Sequence, residues 1–165
     1  MLETHSIADV RIEALARALK VSKSGFYWHF KNRDDLLQQL LDFWVHEVTE
    51  VITKNPEILE LDPLDRLIRT AETILDYDLV RYEISIRQWA LIDKKVAAAV
   101  ATVNQKRMGY VGKALQELGF TGEDLEMRTL LFACYHSCES LMFREIPPER
   151  RRQLIKRRLD LITSR

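Results

Sequence analysis

Lys23, Ser24, Tyr27 and His29 stand close together in the chain and bring an ammonium, a hydroxyl, a phenol and an imidazole to one stretch. On a short helix they share an outward face, and each can reach a phosphate or a base edge while none is needed to build a core. Phe26 and Phe30 repeat at i, i+4 on the opposite, inward face, and Ser22 can cap the helix by accepting a backbone N–H. Upstream, Ile12, Leu15, Ala16 and Leu19 fall at i, i+3, i+4 and i+7, the pattern of an amphipathic helix about two turns long. The small Ala16 lets a second helix cross closely, and Val21 is expected to pack inward. Two short helices around a tight turn, over residues 11–30, are the layout of a DNA-reading helix-turn-helix.

Other chemistry finds little support. Cys134 and Cys138 share a helix face, but His136 between them projects elsewhere and no fourth metal ligand stands near. Neither a glycine-rich phosphate loop, a nucleophile elbow nor a metal-binding histidine pair occurs. No catalytic residue, metal or cofactor is therefore expected, and the chain does not read as an enzyme. Cysteines one turn apart cannot readily bridge along a regular helix, so reduced thiols are expected.

The elements that must position these residues are helical throughout, since no run alternates with period two. Asp34 and Asp35 suit the first turn of a helix predicted over residues 34–52, with Leu36, Leu37, Leu40, Leu41, Trp44, Val48 and Ile52 as its apolar stripe. Asn55-Pro56 ends it, and Asp62-Pro63 starts the next. Shorter and longer helices are predicted over 82–92 and 94–118, the latter stopped by Gly119. Another runs over 125–143, and Pro147-Pro148 breaks the chain before a last helix carrying Leu154, Ile155, Leu159 and Ile162.

The 165 residues carry no net charge, with 25 Lys and Arg against 25 Asp and Glu. Distribution matters more than the sum. Arg11, Arg17, Lys20, Lys23, Lys31 and Arg33 share their stretch with Glu13 as the acidic neighbour before Asp34, so that end is basic. A second basic run, Arg150, Arg151, Arg152, Lys156, Arg157 and Arg158, reads as a solvated helix face. Neither a signal sequence nor a membrane-spanning run is seen, so a cytoplasmic protein without membrane association is expected.

The string V-S-K-S-G-F-Y-W-H-F-K-N-R-D-D-L-L resembles the helix-turn-helix and following helix of the TetR (tetracycline-repressor) family of bacterial regulators, over roughly residues 7–41. The resemblance implies that Arg11, Lys23, Tyr27, His29 and Lys31 touch DNA phosphates, that Ser24, Gly25 and Trp28 face base edges, and that Lys31 opens the next helix. Two departures stand out. Lys20 occupies a place where the family usually has glycine, in a turn that often asks for positive φ, at a cost of about 1 kcal/mol. Residues 1–5 leave little room for the amphipathic first helix that family members carry, so an incomplete first helix and a mobile N-terminus are expected, with Leu2 and Ile7 covering only part of the apolar surface.

The family's plan implies an all-α chain, with a DNA-binding head at 1–41 and an effector-binding and dimerisation body at 42–165. The last two helices would form a four-helix bundle with a second copy. Leu131, Cys138, Leu141 and Leu159 are the candidates for that interface and are equally candidates for intrachain core. Trp89, Tyr110, Phe132, Tyr135 and His136 are candidates for a small-molecule cavity, although packed core is the commoner role of such residues. The function so implied is a homodimeric regulator, a repressor held on a palindromic double-stranded operator and released by a small effector. The alternative is a dimeric ligand-binding or interaction module that has lost DNA binding.

Overall fold

The computed structural model describes residues 7, 10–143 and 145–164. The expectations for residues 1–6, namely the incomplete first helix and the packing of Leu2, lie outside the described residues. Among those described, ten helices and no strand are present: α1 (Ile12–Ala18), α2 (Lys23–His29), α3 (Arg33–Glu47), α4 (Glu50–Thr53), α5 (Pro56–Leu59), α6 (Pro63–Asp76), α7 (Glu83–Ala90), α8 (Lys94–Glu117), α9 (Gly122–Met142) and α10 (Pro148–Thr163). The all-α architecture is that expected from the patterning.

Local chemistry explains where the helices stop. At the end of α1, Val21 N–H reaches Ala16 O at 3.0 Å, and Lys20 N–H reaches Arg17 O at 3.2 Å. Lys20 lies between them with φ 56°. Gly119 closes α8 in the same way, with φ 92° and Phe120 N–H on Leu115 O at 3.2 Å. Glycine takes this left-handed conformation freely, whereas the Cβ of Lys20 meets its own carbonyl at a cost of about 1–2 kcal/mol.

Three expectations are corrected. The helix predicted over 34–52 ends at Glu47, and α4 resumes after a turn at Val48 and Thr49. Val45, Val48, Thr49, Val51, Ile52 and Thr53 crowd this stretch with β-branched side chains, which lose rotamer freedom in a helix. Asn55-Pro56 ends α4 but also starts α5, because the Asn55 side chain accepts from Glu57 N–H at 3.0 Å and Pro56 needs no donor at the first position. Leu19 and Val21, expected to face inward, are 66% and 46% exposed. The left-handed Lys20 turns Val21 off the face that Ile12 and Ala16 bury, and Leu19 stands at the C-cap of α1, at the end of that face.

Two compact units divide the chain, one of residues 1–46 and 82–100, the other of 47–81 and 101–165. In the first, Ile12, Ala16, Phe26, Leu37, Leu41, Ile86 and Trp89 are buried. Arg33 donates to the carbonyls of Val10 and Ile7, both at 2.8 Å, and so ties the chain before α1 to the start of α3. In the second, Leu67, Ala71, Ala114, Leu115, Phe132 and Leu159 belong to one core cluster. Leu159 is wholly buried there, which removes it from the candidate interface residues. Its place on the inward i, i+3, i+4, i+7 stripe of α10 with Ile155 and Ile162 leaves no surface to offer a second chain.

Candidate functional site

The turn between α1 and α2 sets the outward face of α2. Ser22 accepts from Gly25 N–H at 3.0 Å and caps the helix as expected. A Cβ on Gly25 would stand 3.2 Å from that same hydroxyl, so the residue type suits a close cap as well as close approach of a ligand. Phe26 is buried and Phe30 half-buried, with ring centroids 4.9 Å apart. Arg11, Lys23, Ser24, Gly25, Tyr27, Trp28, His29 and Lys31 are all exposed, and Trp28 reaches 84%. An indole so exposed contributes nothing to the core. All eight DNA-contact candidates are thus solvent-exposed, six of them on α2, Lys31 shortly after it and Arg11 at the N-cap of α1.

Several of these side chains already have partners. Lys23 Nζ lies 2.9 Å from Glu13 Oε1, across the α1–α2 crossing. That hydrogen bond holds the Glu13 carboxyl below the usual range and raises the Lys23 ammonium. A phosphate at Lys23 must compete with Glu13, a role that sequence spacing alone did not reveal. Ser24 Oγ is 3.0 Å from Ser22 Oγ. Lys31 precedes α3 rather than opening it: Asp35 N–H donates to Asn32 Oδ1 and Lys31 N–H to Asp35 Oδ2, both at 2.8 Å. Asn32 is thus the cap, and the Asp35 carboxylate ties the residue before it back to the helix. With Asp34 and Asp35 answering the helix dipole, Lys31 offers a phosphate its ammonium alone.

The second unit holds a cavity of about 50 Å³. Val48, Ile52, Ile74, Leu79, Val80 and Phe132 give it apolar walls, while Thr70, Tyr110, His136, Ser137, Lys106 and Arg107 bring polar groups. Tyr110 Oη lies 3.2 Å from Thr70 Oγ1, and burial raises its pKa. Arg107 Nη1 donates to Ser137 Oγ at 3.3 Å. Of the five ligand candidates, Tyr110, Phe132 and His136 are brought together here. Trp89 is buried on α7 in the first unit, and Tyr135 lines a different surface, so neither belongs to this cavity. Consecutive residues of a helix point about 100° apart, which is why Tyr135 and His136 part company. Arg87, on α7 beside Trp89, is paired at 2.7 Å with buried Glu83.

His136 is neutral for a geometric reason. Its Nδ1 lies 2.9 Å from Phe132 O, which can only accept, and its Nε2 lies 3.4 Å from Arg158 Nη2, which can only donate. The proton therefore sits on Nδ1. Burial, with Arg158 adding to it, pushes the pKa down to about 4. Arg158 also donates to Tyr135 Oη at 3.0 Å, stacks 4.1 Å over the Tyr135 ring and lies 3.6 Å from Glu139. Tyr135 in turn donates to Glu139 at 2.6 Å; burial and this bond push its pKa up to about 12.

Tyr135, Glu139 and Arg158 line an open groove of about 580 Å³ between α9 and α10, together with Leu131, Cys138 and Leu161. Leu131, Met142 and Leu161 are exposed, at 53%, 68% and 63%, and Cys134 and Cys138 are free thiols at the surface. Leu141 is half-buried and does not line the groove. Among the described residues no cluster of His, Cys, Asp and Glu could hold a metal ion, and no helix is long and apolar enough to cross a membrane.

Residues 1–40 match the family described as bacterial regulatory proteins, tetR family. No curated protein matches the chain.

Proposed function

We propose, from the premise that residues 1–40 are a tetR-family DNA-binding segment of a transcriptional regulator, that this protein is a dimeric repressor released from a palindromic operator by a small molecule. The observation that carries the reading is the exposure of α2, where Lys23, Ser24, Tyr27, Trp28 and His29 all stand in solvent, with Lys31 and Arg11 exposed as well. In this reading Arg11, Lys23, Tyr27, His29 and Lys31 hold phosphates. Ser24, Gly25 and Trp28 approach base edges.

One head contacts few bases. Two heads about one helical turn apart read a palindrome and combine their affinities. The exposed apolar groove of α9 and α10, with Leu131 and Cys138 in it, supports a second copy as the partner. The head is assigned to 1–41 and the effector and dimer functions to 42–165. Val48, Thr49, Ile52 and Thr53, which line the cavity, follow directly on α3 in the chain, and α3 follows α2 through Lys31 and Asn32. In this reading an effector taken up there favours a form that does not fit the operator. By linkage it must then bind less well when DNA is bound.

Titration of labelled duplex from around the protein's own gene tests the reading. Saturable, salt-dependent preference over random duplex is expected, with Tyr27→Phe weakening all sequences alike. Equal affinity for every duplex, or none, would contradict it and favour an interaction module.

A further inference from the structure

Cys134 and Cys138 are the two cysteines of the chain. Both are free and exposed, and both line the groove between α9 and α10, away from the cavity of Tyr110 and His136. They stand four residues apart within α9. Such a pair shares one helix face with its Cβ atoms about 5–6 Å apart, whereas a disulfide requires about 3.5–4.5 Å between them. The two thiols therefore do not close on each other. A single atom set between the sulfurs adds a second bond to the bridge and spans the gap, so the pair is shaped to chelate an atom that needs two sulfur ligands and no more from the protein.

The surroundings decide which atom. Zinc asks for three or four protein ligands, and among the described residues no third His, Cys, Asp or Glu joins the pair. The neighbouring carboxylate, Glu139, is engaged by Tyr135 at 2.6 Å and Arg158 at 3.6 Å. Trivalent arsenic with one organic substituent has two positions left to exchange, and it prefers soft sulfur ligands. Its substituent then needs an apolar seat. Leu131 stands three residues before Cys134 and Met142 four after Cys138, so both flank the thiols on that face, and with Leu161 they are exposed and line the same groove. The groove measures about 580 Å³, against about 150 Å³ for a cavity that takes benzene. One aromatic ring fits without displacing the walls.

We infer that Cys134 and Cys138 form a dithiol site for a monosubstituted trivalent arsenical, R–As=O, whose aryl group lies in the groove against Leu131 and Leu161. Both S–H bonds and the As=O bond break, two As–S bonds form, and the oxygen leaves with the two thiol protons as one water. Arsenic stays trivalent, so no oxidant takes part.

Intact-mass measurement of the reduced full chain with phenylarsine oxide tests this. One adduct per chain is expected, heavier by one phenylarsine oxide less one water, resistant to excess 2-mercaptoethanol and reversed by 2,3-dimercaptopropanol. Cys134→Ser and Cys138→Ser, at exposed positions and with the fold verified by circular dichroism, should each weaken binding by about a hundredfold or more, the advantage of a second attachment on the same chain. The preference for phenyl- over methylarsine oxide should exceed that of free dithiothreitol by about tenfold, and Leu161→Ser should lower it. No adduct, two adducts per chain, one arsenic shared between two chains, an adduct stripped by 2-mercaptoethanol, or binding indifferent to either serine variant would each overturn the chelate. A phenyl preference equal to that of dithiothreitol would overturn the aryl seat. The site does not depend on the repressor reading, and light scattering of the adduct keeps the two apart. Loss of dimer mass on adduct formation supports both the site and the groove as the second copy's seat; an adduct on an unaltered dimer supports the site and moves the second copy elsewhere.

Discussion

The chain carries two basic stretches, 11–33 and 150–158, and the structure treats them differently. In α10, Arg151 is buried and donates to the carbonyls of Ile146 and Phe143, at 2.9 and 3.1 Å. Arg152 pairs with Asp76, and Arg158 is held by Tyr135, His136 and Glu139. A stretch that reads as a solvated helix face is thus in part internal scaffolding, with Arg150, Lys156 and Arg157 left at the surface. In the head, Arg33 is similarly committed to Val10 and Ile7 and Lys23 to Glu13, but Arg11, Arg17, Lys20 and Lys31 face solvent with Tyr27 and Trp28 among them. Charge density in a sequence says little until one knows which charges the chain uses on itself.

Substitutions can break or sharpen that contrast. The largest effect is expected at Arg158, where alanine strands Glu139 and removes the donor to His136; a loss of about 3 kcal/mol in urea unfolding is expected, with DNA affinity per folded molecule unchanged. A stability loss near zero would put Arg158 in the same class as a surface charge.

His136 gives a pH signature of comparable size. Its folded pKa is about 4 against an ordinary 6.5, so between those values the unfolded chain binds the proton and the folded chain does not. Stability is complete above about pH 6.5 and falls as pH drops towards 4, by about 3 kcal/mol in total. His136→Gln should flatten that slope in urea unfolding followed across the window. An unaltered slope would assign the acid sensitivity to other groups.

A smaller effect belongs to Lys20. With φ 56°, Lys20→Gly should raise the stability of the head by up to about 1 kcal/mol, read as an increased urea midpoint. If the Lys20 charge also contacts DNA, the same variant lowers affinity while raising stability. The smallest expected effect is at Glu13. Glu13→Gln releases Lys23 and should tighten DNA binding a few-fold at low salt and not at high salt. Weaker binding in that variant would show that the ion pair orients Lys23 rather than competing for it.

How far the sequence revealed all this follows the range of each signal. The cap at Ser22, the stop at Gly119 and the outward face of α2 were legible because each is decided within one or two helical turns, and the strained turn at Lys20 because the resemblance marks a glycine place there. The burial of Leu159 was not, since it depends on what packs against the helix; the break after Glu47 and the exposure of Val21 have local causes, β-branched crowding and the left-handed Lys20, that the apolar stripe alone does not weigh. The same holds within the site. Tyr110, Phe132 and His136 were legible as aromatic residues on long helices; that Tyr135 points away from His136 follows from helix geometry, whereas the placement of Trp89 in the other unit is set by tertiary structure. Lys106, Arg107 and Ser137 went unnoticed. Their one sequence signal is a basic pair a single turn before Tyr110 on an otherwise alanine- and valine-rich helix.

The most direct measurement compares the two basic stretches on DNA. Labelled duplex from around the gene is titrated at several salt concentrations with the unaltered chain, Lys31→Ala and Arg157→Ala. If α2 and its flanks are the DNA surface, the unaltered chain binds that duplex above random sequence. Lys31→Ala then flattens the log–log salt dependence by about one unit, and Arg157→Ala leaves it as it was. An equal loss of slope in Arg157→Ala, or a slope indifferent to Lys31, would contradict the assignment of DNA binding to the head.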